Sequence, residues 1–135
     1  MTDVAERALA AANTIAVVGL SRNPDKAAHA VPASLQAAGF RIIPVHPSAN
    51  VLLGEKVYRS LADIPEPVDL VDVFRPAREA PGIAREAVSI GAKTLWLQQG
   101  IVSAEARSIA EQAGLTYVED RCTGVVRALA QITRH

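Results

Sequence analysis

Thr14-Ile-Ala-Val-Val-Gly19-Leu-Ser-Arg-Asn-Pro-Asp-Lys26 is the stretch whose reading decides the fold. Its first half is apolar on both faces at the two-residue period of a strand, as an internal parallel strand requires. Its second half is polar, opens on a glycine and holds the turn pair Asn23-Pro24. Residues 27–38 then have helical character, with Val31, Ser34, Leu35 and Ala38 toward the sheet and Gly39 as the C-terminal stop. Pro32 falls in the first turn or two of that helix, where a proline is tolerated. Strand, polar loop and helix start, in that order, open a βαβ unit.

The same alternation extends in both directions. Upstream, Thr2 or Asp3 caps a helix reaching about Ala12, with Val4, Ala8, Leu9 and Ala12 on one face. Downstream, residues 41–46 form a second strand, in which Pro44 fits poorly if the strand is central. Residues 47–64 read as a long loop with a short strand near Val57 and a helical turn at Leu61. Residues 68–74 form a third strand; Asp69 belongs at its mouth, and Asp72 requires a partner. A helix over 77–90 ends at Gly91, and a strand over 94–97 contains Trp96, which belongs in the core. A helix over 104–113 lies between Ser103 as cap and Gly114 as stop. A strand over 116–119 and a helix near 125–133 complete the chain. Right-handed crossovers make this an α/β three-layer sandwich, a Rossmann-like parallel sheet of about five strands flanked by helices. Residues 1–135 are read as one domain.

Composition narrows the function. Half the residues are apolar and 21% are charged, as in a globular protein. Fourteen basic residues balance fourteen acidic ones, without the basic excess of a nucleic-acid surface. No apolar run approaches the ~18 residues of a membrane span, and the amino terminus lacks a signal-type apolar core. The one cysteine, Cys122, forms no internal disulfide, and a cytoplasmic location is expected. His29, His46, Cys122 and His135 have no metal-ligand spacing. No Ser-His-Asp or Cys-His arrangement assembles, so no catalytic residue is assigned.

In open α/β sheets ligands bind beyond the carboxyl ends of the strands, where strand order reverses. The segments expected there are 19–26, 45–47, 74–76 and 98–100. In the first, Gly19 permits close backbone approach, and Ser21, Arg22, Asn23 and Lys26 add donors and charge ahead of a helix N-terminus, a composition suited to phosphate. A plain turn is the competing reading. The G-x-G-x-x-G pattern of dinucleotide sites is missing after Gly19, and His46-Pro47 stands where an acid would hold a ribose. A P-loop is missing too.

Several stretches together resemble a known family. They are Ala16-Val-Val-Gly-Leu-Ser21 with Asn23-Pro24, Ile43-Pro-Val-His-Pro47, Leu53-Gly-Glu-Lys-Val-Tyr58, Ser60-Leu-Ala-Asp-Ile-Pro65, Val68-Asp-Leu-Val-Asp-Val-Phe-Arg75 and Trp96-Leu-Gln-Gln-Gly100. In this order, over about residues 13–122, they resemble the stand-alone CoA-binding domain proteins, similar to the amino-terminal domain of the succinyl-CoA synthetase α subunit. The resemblance implies that Gly19, Leu20, Ser21, Arg22 and Asn23, with Lys26, hold the phosphates of CoA. It implies that Val45, His46 and Pro47 pack the adenine, that Val73, Phe74, Arg75 and Pro76 line the cofactor, and that Gln99 and Gly100 lie near the pantetheine arm. Relatives often continue after Arg-Cys with proline and lysine; here Thr123-Gly124 follows Arg121-Cys122, and that segment's role is not carried over.

The function read from this is binding of CoA or an acyl-CoA, without catalysis, as a carrier, sensor or regulatory subunit. The synthetase's phosphohistidine chemistry needs a second domain and is not transferred. An NAD(P)-linked oxidoreductase or another nucleotide-dependent enzyme is the alternative, and a redox or interaction module built on Cys122 is a third reading. Arg75 is open between a phosphate clamp and a pair with Asp72 or Glu79. His46 and His29 are open between ligand contacts and surface groups. Cys122 is either reactive toward CoA or an inert turn residue, and Asp120 is expected to pair with Arg121. The expected partner is a small nucleotide ligand, with no nucleic acid and no membrane. Self-association through the alanine-rich first helix, or an unknown protein partner, stays open.

Overall fold

The structure is a computed structural model and describes residues 3–134. Helix α1 (Val4–Ala11) leads into β1 (Thr14–Val18), α2 (Ala27–Ala37) and β2 (Arg41–Val45). A hairpin of β3 (Val51–Leu52) and β4 (Glu55–Lys56) and a 3-10 turn (Leu61–Asp63) follow. Then come β5 (Leu70–Val73), a second 3-10 turn (Ala77–Glu79), α3 (Ala80–Ser89), β6 (Thr94–Leu97), α4 (Ala104–Gln112), β7 (Thr116–Val118) and α5 (Thr123–Ala130). Five strands form one wholly parallel sheet in the order β2-β1-β5-β6-β7.

Side-chain alternation along the strands builds two cores. Ile15 and Val17, with Leu70 and Trp96, face one layer, where they meet Leu9 of α1, Leu35 of α2 and Val126 of α5. Ala16, with Val71, Val73, Leu95 and Leu97, faces the other, against Ile83, Ala84 and Ala87 of α3 and Ala106 and Ala110 of α4. The alanines let α3 and α4 approach the sheet and each other closely. Trp96 is wholly buried, and its indole N–H donates to the Arg121 carbonyl at 2.8 Å.

Pro44 is accommodated because β2 is the outermost strand of the five, with β1 on one side and only an isolated bridge to Tyr58 on the other, where the Pro44 carbonyl accepts from the Tyr58 amide at 3.0 Å. Asp69 precedes β5, and its Oδ2 accepts from the amides of Asn13 and Thr14, both at 2.9 Å, pinning the amino-terminal edge of the sheet. Asp3 caps α1 by accepting from the Glu6 amide at 2.8 Å. The alternative cap, Thr2, and the terminal His135 lie outside the described residues.

Several expectations are corrected. The α1 face that packs is Ala5, Leu9 and Ala12, whereas Val4 is exposed, because the residue just after the cap swings away from the sheet. Ser34 is exposed on α2 and bonds the Val31 carbonyl, while Pro32 is buried. The segment read as loop holds the β3–β4 hairpin; its turn, Leu53-Gly54, takes positive φ at both residues. The helix over 77–90 divides into a 3-10 turn and α3, since Pro81 lacks an N–H and is admitted only in a first turn. The last helix begins two residues early, at Thr123, where its hydroxyl has a buried partner.

Candidate ligand-binding cleft

The chain leaves β1 to one side for β2 and returns past it for β5, so the strand order reverses at β1. A crevice opens between the loops that follow β1 and β5, as this topology dictates. Its volume is about 740 Å³, within the roughly 300–1,000 Å³ of small-molecule sites. Gly19, Ser21, Arg22, Asn23 and Lys26 line it from the first loop, while the Leu20 side chain is wholly buried beneath them in the core with Leu9 and Leu35. Val45, His46 and Pro47 line it from the end of β2, and Phe74 and Arg75 from the end of β5.

Other residues read from the sequence are not brought there. Val73 is wholly buried, because the strand's alternation turns it into the α3 layer. Gln99 and Gly100 are exposed outside the cleft, one strand farther from the reversal, and the Gly100 amide donates to Asp120 Oδ1 at 2.7 Å. Asp120 is thus not the partner of Arg121, which pairs with Asp3 at 3.4 Å. Cys122 is the half-buried residue preceding α5 and does not line the cleft.

The first loop is tightly organised. The amides of Asn23 and Asp25 are taken by Ser21 Oγ and Asn23 Oδ1, and that of Lys26 by the Asn23 carbonyl. The Ser21 amide donates to the Ala28 carbonyl at 3.1 Å. That carbonyl is available because its helical partner four residues on is Pro32, which has no N–H. A proline within α2 therefore tethers the loop to the helix. His29 braces it as well: its Nδ1 lies 2.7 Å from the Ser21 carbonyl, which can only accept, so Nδ1 carries the proton. Arg22 and Lys26 are exposed around the start of α2, where no side chain caps the helix.

The second loop is shaped by His46 and Arg59. His46 Nδ1 accepts from the amides of Ser48 and Ala49 at 3.0 and 2.9 Å, which leaves Nε2 as the protonated nitrogen of a neutral ring. Burial holds its pKa below the usual histidine range, and Arg22, Arg59 and Arg75 reinforce this. Arg59 donates to the carbonyls of His46, Ser48 and Ala49 and to Asn50 Oδ1, clasping the loop. Arg75 is held by Glu79, Nε to Oε1 at 3.1 Å and Nη2 to Oε2 at 2.8 Å. Of the three partners open from the sequence, Glu79 holds Arg75 here.

The wall formed by Arg59, Ser60, Leu61, Glu79, Ile83 and Glu86 was not singled out from the sequence. The spacing 79, 83, 86 is a helical face, a usable signal once α3 is known to flank β5. Arg59 carries no periodic signal, since its role comes from the loop it clasps. Among the described residues no His, Cys, Asp and Glu cluster is arranged to hold a metal, and no helix is long and apolar enough to cross a membrane.

Residues 13–128 match the family described as CoA binding domain. The chain belongs to that family. This CoA-binding domain is 42% identical to YneT, an uncharacterized protein of Bacillus subtilis, over 87% of each chain. It superposes on a solved Thermus thermophilus protein, cell-free ID.343, with a TM-score of 0.88 and 36% identity, covering 95% of this chain and 98% of that one. It is also 35% identical over 82 residues to acetate–CoA ligase (ADP-forming) II of Archaeoglobus fulgidus. That match spans 59% of this chain and 12% of the ligase, one segment of a much longer protein.

Proposed function

We propose that this domain binds CoA or an acyl-CoA in the cleft between the β1 and β5 loops, in the cytoplasm, with no covalent chemistry of its own. It would act as a carrier, sensor or regulatory subunit, with the 135 residues working as one domain. The observation that carries this reading is the convergence of Arg22, Lys26 and Arg75 with the wall His46-Pro47 on one crevice at the strand reversal. The cations and the uncapped start of α2 suit the phosphates. Val45 and Pro47 supply an apolar face for the adenine, and His46, neutral with Nε2–H outward from its own loop bonds, supplies a donor to a ring nitrogen. The first loop keeps most of its own amides occupied, so side-chain charge carries more of the phosphate binding here than in a glycine-rich dinucleotide loop.

The test is thermal unfolding with CoA, acetyl-CoA, NAD, NADP and ATP at matched concentrations. A ligand at ~100 times its dissociation constant stabilises the native state by about 2.7 kcal/mol. A shift with CoA and acetyl-CoA supports the reading. A shift with NAD or NADP and none with CoA replaces it by the oxidoreductase alternative.

A further inference from the structure

We propose that Glu79 is a specificity-determining residue that holds Arg75 away from the ligand and releases it only to a phosphate-bearing one; this rests on the CoA reading of the cleft. Arg75 follows β5 and its stem crosses Gly19. A Cβ at Gly19 would stand 2.8 Å from Arg75 Cδ and 3.2 Å from its Cγ. The guanidinium therefore starts from the floor of the phosphate loop, and it is turned onto Glu79 by two charge-assisted bonds of 3.1 and 2.8 Å. Both side chains line the cleft and both are partly exposed, 46% and 37%, so the pair is accessible to a competing anion.

An Arg–carboxylate fork and an Arg–phosphate fork use the same donors in the same plane. A phosphate entering over Gly19 competes with Glu79 for Arg75. A ligand with no anion at that place gains nothing from the exchange and meets a closed pair. The exchange is energetically mild, because an exposed ion pair contributes little. Glu86, on the same wall of the cleft and two turns along the helix from Glu79, has no ion pair among the described residues, so it offers a carboxylate in the cleft that restrains no cation.

Titration calorimetry with CoA on four variants tests this: Glu79→Gln, Glu86→Gln, Arg75→Ala and the Arg75→Ala/Glu79→Gln double variant. Glu79→Gln is expected to tighten CoA binding about two- to fivefold. That gain should exceed the gain from Glu86→Gln and vanish in the Arg75→Ala background. If Glu79 acts only by repelling an anion, its removal helps more once Arg75 no longer neutralises it, and that ordering overturns the proposal. An unchanged affinity in Glu79→Gln overturns it too, while CoA binding itself leaves the cleft reading standing. No binding of CoA by the wild type overturns both.

Discussion

Gly19 lies directly beneath Arg75, with its φ at +93° and no room above its Cα: a methyl there would stand 2.8 Å from Arg75 Cδ and 3.2 Å from the Phe74 carbonyl oxygen. Two loops that follow different strands are thus in van der Waals contact at the floor of the cleft. The glycine is required twice, once for the backbone angle and once for the space.

Gly19→Ala should therefore destabilise the fold by about 1–3 kcal/mol, from the left-handed φ and the crowding of a backbone oxygen that cannot swing aside. It should also displace Arg75 and weaken CoA binding. Urea unfolding and calorimetric titration of the same preparation measure the two effects. A variant as stable as wild type would mean that the loops separate easily.

Arg22 and Lys26 are exposed, and the bond that Arg22 Nη2 donates to Ser48 Oγ at 3.2 Å lies at the surface as well. The Arg22→Ala/Lys26→Ala variant is expected to keep its stability within about 0.5 kcal/mol. Its CoA affinity should fall by no more than a few kcal/mol, since a charge-assisted contact contributes roughly 1.5–3 kcal/mol and solvent reduces that here. The slope of affinity against salt concentration should flatten as well. Wild-type affinity in this variant would place the phosphates elsewhere.

Pro32 and Ser21 are coupled through the Ala28 carbonyl. In Pro32→Ala the new amide at 32 competes for that oxygen, and the Ser21 amide loses its acceptor. Faster hydrogen exchange at Ser21 is expected, together with about two- to tenfold weaker CoA binding, the scale of one net hydrogen bond. Unchanged exchange at Ser21 would show that the loop is held by other means.

Asp72 gives stability a defined pH dependence. It is wholly buried, accepting from Gln98 Nε2 at 2.5 Å and Thr123 Oγ at 3.0 Å, with no cation beside it. Burial pushes its carboxyl up to about 7, against the smaller opposing effect of those two hydrogen bonds. Unfolded, it titrates near the ordinary value of about 3.9. The folded state thus holds the proton more tightly, and this contribution is complete below about pH 4 and lost as pH rises through about 7. Asp72→Asn should remove that decline, so its urea midpoint should gain on wild type between pH 5 and pH 8. Parallel curves would mean that Asp72 keeps one charge state throughout.

Much of this architecture was legible in the chain itself. The apolar run at 14–18, the polar loop and the helical stretch after it are properties of neighbouring residues, and local periodicity reports them directly. Pro44 already fitted poorly in a central strand, and Asp72 already required a partner. The cleft residues of the first two loops followed from the rule that ligands lie beyond strand ends. What only the tertiary structure decided is which distant side chains meet. The strand order set α3 against the β1 loop and so brought Glu79, Ile83 and Glu86 into the cleft. The face that Val73 takes, the choice of Glu79 for Arg75 and of Thr123 for Asp72, and the clasp of Arg59 on 46–50 depend on crossovers and on which layer each helix joins. Those contacts join residues through space, and neither propensity nor spacing along the chain carries that information.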